Sequence, residues 1–144
     1  MLLEPGERNS FPNMRCVMLV VRAILLWIAM IPLAILNGTV RVYWINPVIG
    51  EHAGHIVSSV TLSAIVFLLT WWFMRNAIPG PREAFLVGAG WVICTVLFEF
   101  VFGHYVMNHP WEKLLADYNV FRGRTWVLVL LAEFFSPVLA LRLR

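Results

Sequence analysis

Glu99 and Glu133 each place a carboxyl group inside a long apolar stretch. A charge surrounded by hydrocarbon costs several kcal/mol unless it is paired, protonated or hydrated, so such residues point to a relay, a counter-charge or a fixed ion pair. At about 1.5 Å of rise per helical residue their depths differ by roughly 5 Å, close enough for one polar pocket to receive both. Arg41 closes the first apolar stretch and Arg124 opens the last, on the same side, so either can pair with Glu99. Glu133 has no obvious partner at its depth. Arg22 approaches from the opposite side, where it can snorkel to the interface.

A second constellation lies on the same side. His52, His55, His104 and His109 all fall there, and Glu51 stands four residues before His55. Should the helix ends meet, Glu51, His52, His55, Glu99 and His104 converge, and imidazole with carboxylate suits Zn, Fe or Mn. No HExxH and no four-ligand spacing accompanies them, so hydrogen-bonded interfacial histidines are the plainer expectation and no cofactor is predicted. Arg122-Gly123-Arg124 precedes the last apolar stretch, where it can take an anion or a lipid phosphate. No GxSxG and no glycine-rich phosphate loop occurs, so a catalytic nucleophile is not expected.

The elements that must position these groups are apolar on every side. Of the 144 residues 60% are hydrophobic and 13% charged, against roughly 45–50% and about 25% in an average soluble domain. Four stretches stand out: Cys16 to Leu36, Gly54 to Met74, Ala84 to Gly103 and Thr125 to Leu141. A bilayer core needs roughly 20 helical residues, and backbone groups within it must pair internally. The expected fold is therefore all-α, a bundle of four transmembrane helices behind a disordered polar segment over residues 1–13. A secretory signal is the alternative for the first stretch, with Met14 as a possible start, but the run exceeds an ordinary signal core and no A-x-A site follows.

Asn37-Gly38, Asn46-Pro47 to Gly50, and Pro79-Gly80-Pro81 are the breaks, and Pro32 and Pro137 predict kinks within helices. In the third loop, residues 109–118 predict a short interfacial helix capped by Asn108 or His109, with Trp111, Leu114, Leu115 and Tyr118 on one face. Trp71, Trp72, Trp126, Tyr43 and Trp44 suit an aromatic belt. Ala84 with Gly88, Gly90, and Ser59 with Ser63 permit close helix approach. Cys16 and Cys94 read as small buried side chains rather than a disulfide. Seven arginines on one side face four Lys and Arg on the other, which sets both termini in the cytoplasm. The modest basic excess reflects topology, and no nucleic-acid partner is expected.

The stretches LAILNGTVR, FEFVFGHYV and WEKLLADYNVFRGRTWVLVLL resemble a family of short bacterial four-span integral membrane proteins. The resemblance implies a bacterial inner-membrane location and carries no activity across. Small multidrug transporters share the size but place their essential glutamate in the first span, which has none here. The leading expectation is a non-enzymatic accessory or binding protein, alone, as a homo-oligomer or in a larger membrane complex. The alternatives are an oligomeric proton- or cation-coupled transporter using Glu99 and Glu133, and a metal-binding protein using the His/Glu cluster.

Overall fold

The computed structural model describes residues 10–77 and 79–143. Every regular element among them is helical: α1 Ser10–Val40, α2 Asn46–Ile49, α3 Glu51–Ala77, α4 Pro81–Val101, α5 Trp111–Ala116 and α6 Trp126–Arg142. Two π turns, Arg41–Ile45 and Phe102–Val106, extend α1 and α4. The runs Met14–Ile49, Glu51–Ala77 and Pro81–Val106 are three helices long and apolar enough to cross a membrane.

Of the expected breaks, Gly50 and Pro79-Gly80-Pro81 separate helices as expected, and Asn37-Gly38 does not. Asn37-Gly38 does not end the first helix, which runs on through the π turn to Ile49. Asn37 is turned instead to α3, where its amide donates to the Ser58 carbonyl at 3.1 Å and hydroxyl at 2.7 Å. Gly50 is the true stop, at φ 85, a backbone region glycine enters without steric cost. The helix also starts at Ser10, within the segment expected to be disordered, and residues 1–9 lie outside the described ones. α1 and α6 continue as helix through Pro32 and Pro137. α4 begins with Pro81 in its first turn, and the Glu83 carboxylate accepts from the Gly80 N–H at 2.8 Å.

Helix directions follow from cross-contacts. Trp91 donates to the Ala23 carbonyl and Trp27 to the Thr95 hydroxyl, so α1 and α4 run in the same sense. Asn37 with Ser58 and Arg41 with His55 set α3 against α1. Thr125 donates to Ser59, and Gly88 faces Phe134, so α6 runs with α3 and against α4. Residues 10 and 142 therefore lie at one end, the terminus end, and α2 and α5 at the other, the loop end.

α3 buries Gly54, Ser58, Leu62, Val66, Thr70 and Met74, a file at strict four-residue spacing. Its large residues Ile56, Val60, Leu68 and Trp72 point outward. Small and polar residues (Gly54, Ser58 and Thr70) thus share the inner face with Leu62, Val66 and Met74, while large apolar residues face out, as expected where lipid surrounds a bundle. At Gly88 a Cβ would sit 2.4 Å from the Phe134 carbonyl oxygen, so its missing side chain sets the α4–α6 approach. Gly90 has nothing within 4 Å and takes no part in that seam. Ser59 bonds to Thr125, whereas the buried Ser63 hydroxyl has no partner among the described residues.

The terminus half holds the apolar core. Leu19, Ala23, Met30, Val66, Phe73, Met74, Trp91 and Ala140 form it. The loop half is hollow, because α6 packs along both α3 and α4 while α1 stands further off. Both cysteines are free and exposed, contrary to the buried reading, and line an apolar groove between α1 and α4. Burial inside the protein is not required to shelter a thiol whose surroundings are apolar in any case. Tyr43, Trp44 and Trp72 are exposed as a belt requires; Trp71 is half-buried with the Arg75 guanidinium 4.7 Å above its ring, and Trp126 is turned inward.

The third-loop helix is shorter than expected, with Pro110 at its cap and no side-chain capping bond. Too short to present the expected four-residue face, it buries Leu114 alone and leaves Trp111 and Leu115 exposed. A Cβ on Gly103 would meet Leu114 Cδ2 at 2.7 Å, so that glycine is the seat on which the lid helix rests.

Candidate functional site

Two adjoining cavities occupy the hollow half. The outer one, the vestibule, holds about 180 Å³ and is lined by Asn37, Arg41, His55, Ser58, Asp117 and Arg124 among others. The inner one, the chamber, holds about 310 Å³ and is mostly apolar, with Trp27, Met30, Ile31, Phe98 and Phe102 on its walls. Ala34, Leu62, Glu99, Asp117, Trp126 and Val129 line both, so the two cavities meet along a common wall. Both expected carboxyl groups open on the chamber, Glu99 at the junction and Glu133 deeper.

Neither arginine pairs with Glu99. Its Oε2 accepts from the Tyr118 phenol and from Trp126 Nε1 at 2.7 Å. By sequence Tyr118 suits an interfacial face and Trp126 an aromatic belt, and their turn toward Glu99 depends on how the third loop folds back. Burial, with the bond to Glu99 adding to it, pushes the Tyr118 phenol above its ordinary value of 10.0. Tyr118 therefore remains a donor at neutral pH.

Glu133 is 5% exposed. The partner absent from the sequence reading is Thr95, whose hydroxyl donates to Glu133 Oε1 at 3.0 Å while accepting from Trp27 Nε1 at 2.9 Å. Thr95 stands four residues before Glu99, on the same helical face, and that spacing was a legible signal. Glu133 Oε2 is buried without a hydrogen-bond partner among the described residues.

Arg41 and Arg124 converge instead on one histidine. Arg41 Nη1 lies 3.0 Å from His55 Nδ1, and Arg124 Nη1 lies 2.9 Å from His55 Nε2. Arg124 Nη1 is also 3.5 Å from Asp117 and 3.7 Å from the mostly exposed Glu51. Glu51 reaches His55 at 3.9 Å. Arg41 opens the π turn that follows α1, a kind of helix irregularity frequent at functional sites.

The metal cluster that converging helix ends would allow does not assemble. Among the described residues no three His, Cys, Asp or Glu side chains gather to hold a metal ion. His104 stacks on Trp111 at 3.9 Å between centroids and bonds to the His109 carbonyl; His109 meets Lys113. His52 lies over Gly123, where a Cβ would come within 2.1 Å of its ring. The lid turn and the head of α3 keep these groups apart. Arg122 is exposed while Arg124 is committed to the vestibule, so the expected Arg122–Arg124 pair does not act as one anion site.

Gly123 combines that contact with φ 76. Gly123→Ala should therefore cost about 1–2 kcal/mol for the left-handed backbone alone, and more if His52 cannot swing away, read as a lowered unfolding midpoint in detergent. A midpoint equal to the parent's would mean that the loop before α6 is free to rearrange.

No family model, curated protein or solved structure matches the chain.

Proposed function

We propose that this chain is a non-enzymatic membrane protein that binds one amphipathic molecule, either as an independent binding module or as the accessory subunit of a larger complex. The observation that carries this is the pair of adjoining cavities, a polar vestibule lined by Arg41, Arg124, Asp117 and Glu99 beside a chamber walled by aromatic and aliphatic side chains. A ligand with a polar end and an apolar body matches both compartments at once.

The setting is a bilayer. Ile24, Leu25, Ile28, Ile35 and Leu36 are all at least half exposed along α1, an apolar surface larger than water tolerates. α6 has 17 residues, about 26 Å of helix, and lies between two helices of membrane-crossing length. We read it as the fourth span. The arginine excess at the terminus end supports cytoplasmic termini, and the bacterial inner membrane is the proposed location.

Protein purified in mild detergent should carry an extractable amphipathic ligand, detected by native mass spectrometry. Ala34→Trp, which fills the junction from the loosely packed α1, should reduce its retention about tenfold or more, given the 1–3 kcal/mol cost of overfilling a packed site. Undiminished retention in a folded Ala34→Trp protein would remove the binding role.

Glu133, which lines the chamber and has one buried carboxyl oxygen without a hydrogen-bond partner among the described residues, favours a second reading, a proton- or cation-coupled carrier acting as an oligomer. Glu133→Gln should then abolish coupled flux in liposomes, and unchanged flux would end that reading.

A further inference from the structure

His55 cannot satisfy both arginines that approach it. A neutral imidazole offers one ring-nitrogen lone pair, and an imidazolium offers none. Its two nitrogens nevertheless face Arg41 Nη1 at 3.0 Å and Arg124 Nη1 at 2.9 Å. At most one of these contacts is a hydrogen bond, and the other sets N–H against N–H. The surplus of donors extends further. Arg41 Nε is buried without an acceptor, and Arg41 has no carboxylate within ion-pair distance among the described residues. Arg124 has Asp117 at 3.5 Å and Glu51 at 3.7 Å, the latter 71% exposed at the rim. Two guanidinium groups thus line one small cavity that also holds the Asp117 and Glu99 carboxylates, and the buried Arg41 Nε is left without an acceptor among the described residues.

Resting on the amphipathic-ligand reading, we propose that the vestibule is an oxyanion site, in which Arg41 and Arg124 bind the phosphate or carboxylate at the polar end of that ligand. Guanidinium forks match oxyanions bidentately, and such charge-assisted bonds are roughly twice as strong as neutral ones. An oxyanion between the arginines accepts the N–H groups that His55 cannot. The ligand's apolar part then continues past Ala34 and Leu62 into the chamber. His55 becomes a spacer that holds the two guanidinium groups apart and aimed at the anion.

The test compares phosphatidylglycerol with diacylglycerol of the same chains, added to purified protein and followed by native mass spectrometry. Phosphatidylglycerol should be retained at least about tenfold better, the scale expected for hydrogen bonds to a charged group. Arg41→Gln and Arg124→Gln should each bring the ratio toward one. Arg41→Lys should keep part of it, and Arg122→Gln, at an exposed site, should leave it unchanged. Circular dichroism and gel filtration matching the parent's would establish that the variants are folded. Inorganic phosphate that competes with phosphatidylglycerol identifies a site that reads the anion alone, whereas failure to compete identifies the lipid as the source. Equal retention of both lipids by the parent protein, or an undiminished preference in both Gln variants, overturns the oxyanion site while leaving amphipathic binding intact. If neither lipid is retained, the amphipathic reading falls. Saturable phosphate binding that Arg41→Gln abolishes would then still uphold the anion site, and no phosphate binding would end it.

Discussion

Gly88→Val should prevent α6 from docking on α4. The first atom of any side chain there would lie 2.4 Å from the Phe134 carbonyl oxygen and 3.1 Å from its carbon, and a helix backbone cannot rotate away as a flexible side chain can. The helices must separate, and overpacking of this kind costs about 3 kcal/mol or more where backbone is displaced. In a lipid-facing bundle the loss falls on van der Waals contact, since apolar burial supplies little drive for helix association. The expected readout is a sharp drop in thermal midpoint or in resistance to denaturing detergent. Gly90→Ala supplies the contrast, because that position has nothing within 4 Å. Relieving a mid-helix glycine there should be neutral or stabilising by up to about 1 kcal/mol. Equal effects at the two positions would mean that α4 meets α6 through a different face.

The second large effect is expected at the lid. Tyr118 ties the third loop to Glu99, and Phe100 stacks on both Trp111 and Tyr118. Tyr118→Phe keeps the ring packing and removes only the phenol donor, leaving the carboxyl group with Trp126 alone. A hydrogen bond contributes about 0.5–1.5 kcal/mol, and about 1.5–3 kcal/mol to a charged partner, so faster amide exchange over residues 107–125 and a loss of stability on that scale should follow. A double-mutant cycle with Glu99→Ala isolates the pair, and a coupling within about 0.5 kcal/mol of zero would show that the lid is held by packing alone. The pH dependence has a definite sign. The folded state raises the Tyr118 pKa above its ordinary 10.0, so this contribution is complete below that pH and is lost as pH rises through the higher folded value. The gap between the parent and Tyr118→Phe should therefore persist at neutral pH and close only in strong alkali.

How much of this was legible in the sequence differs from residue to residue. Glu99 and Glu133 were marked by being ionisable within apolar runs, and both do open on one cavity. Their partners were not marked. Thr95 was within reach of a spacing argument, because it shares a helical face with Glu99. Tyr118 and Trp126 were not, because a residue type that suits an interfacial belt suits an inward hydrogen bond equally well, and only the path of the loop decides between them. Asn37-Gly38 misled for a related reason. That pair breaks helices in water, where the backbone can turn to solvent, whereas here the Asn37 amide bonds to Ser58 and the helix continues for another three turns.

Composition and hydropathy by themselves determined that the chain is helical, that three of its helices are long and apolar enough to cross a membrane, and that a few ionisable groups lie among apolar ones. Those properties follow from local requirements, since each backbone group in an apolar medium must bond within its own helix. Which face of each helix turns inward was decided only by the tertiary structure. A helix apolar on all sides carries no stripe to announce its buried face, and small or polar residues such as Gly54, Ser58, Gly88 and Thr95 become interior only once a neighbouring helix lies against them. The meeting of Arg41, His55 and Arg124 from three separate segments is a product of that packing, and no spacing along the chain encodes it.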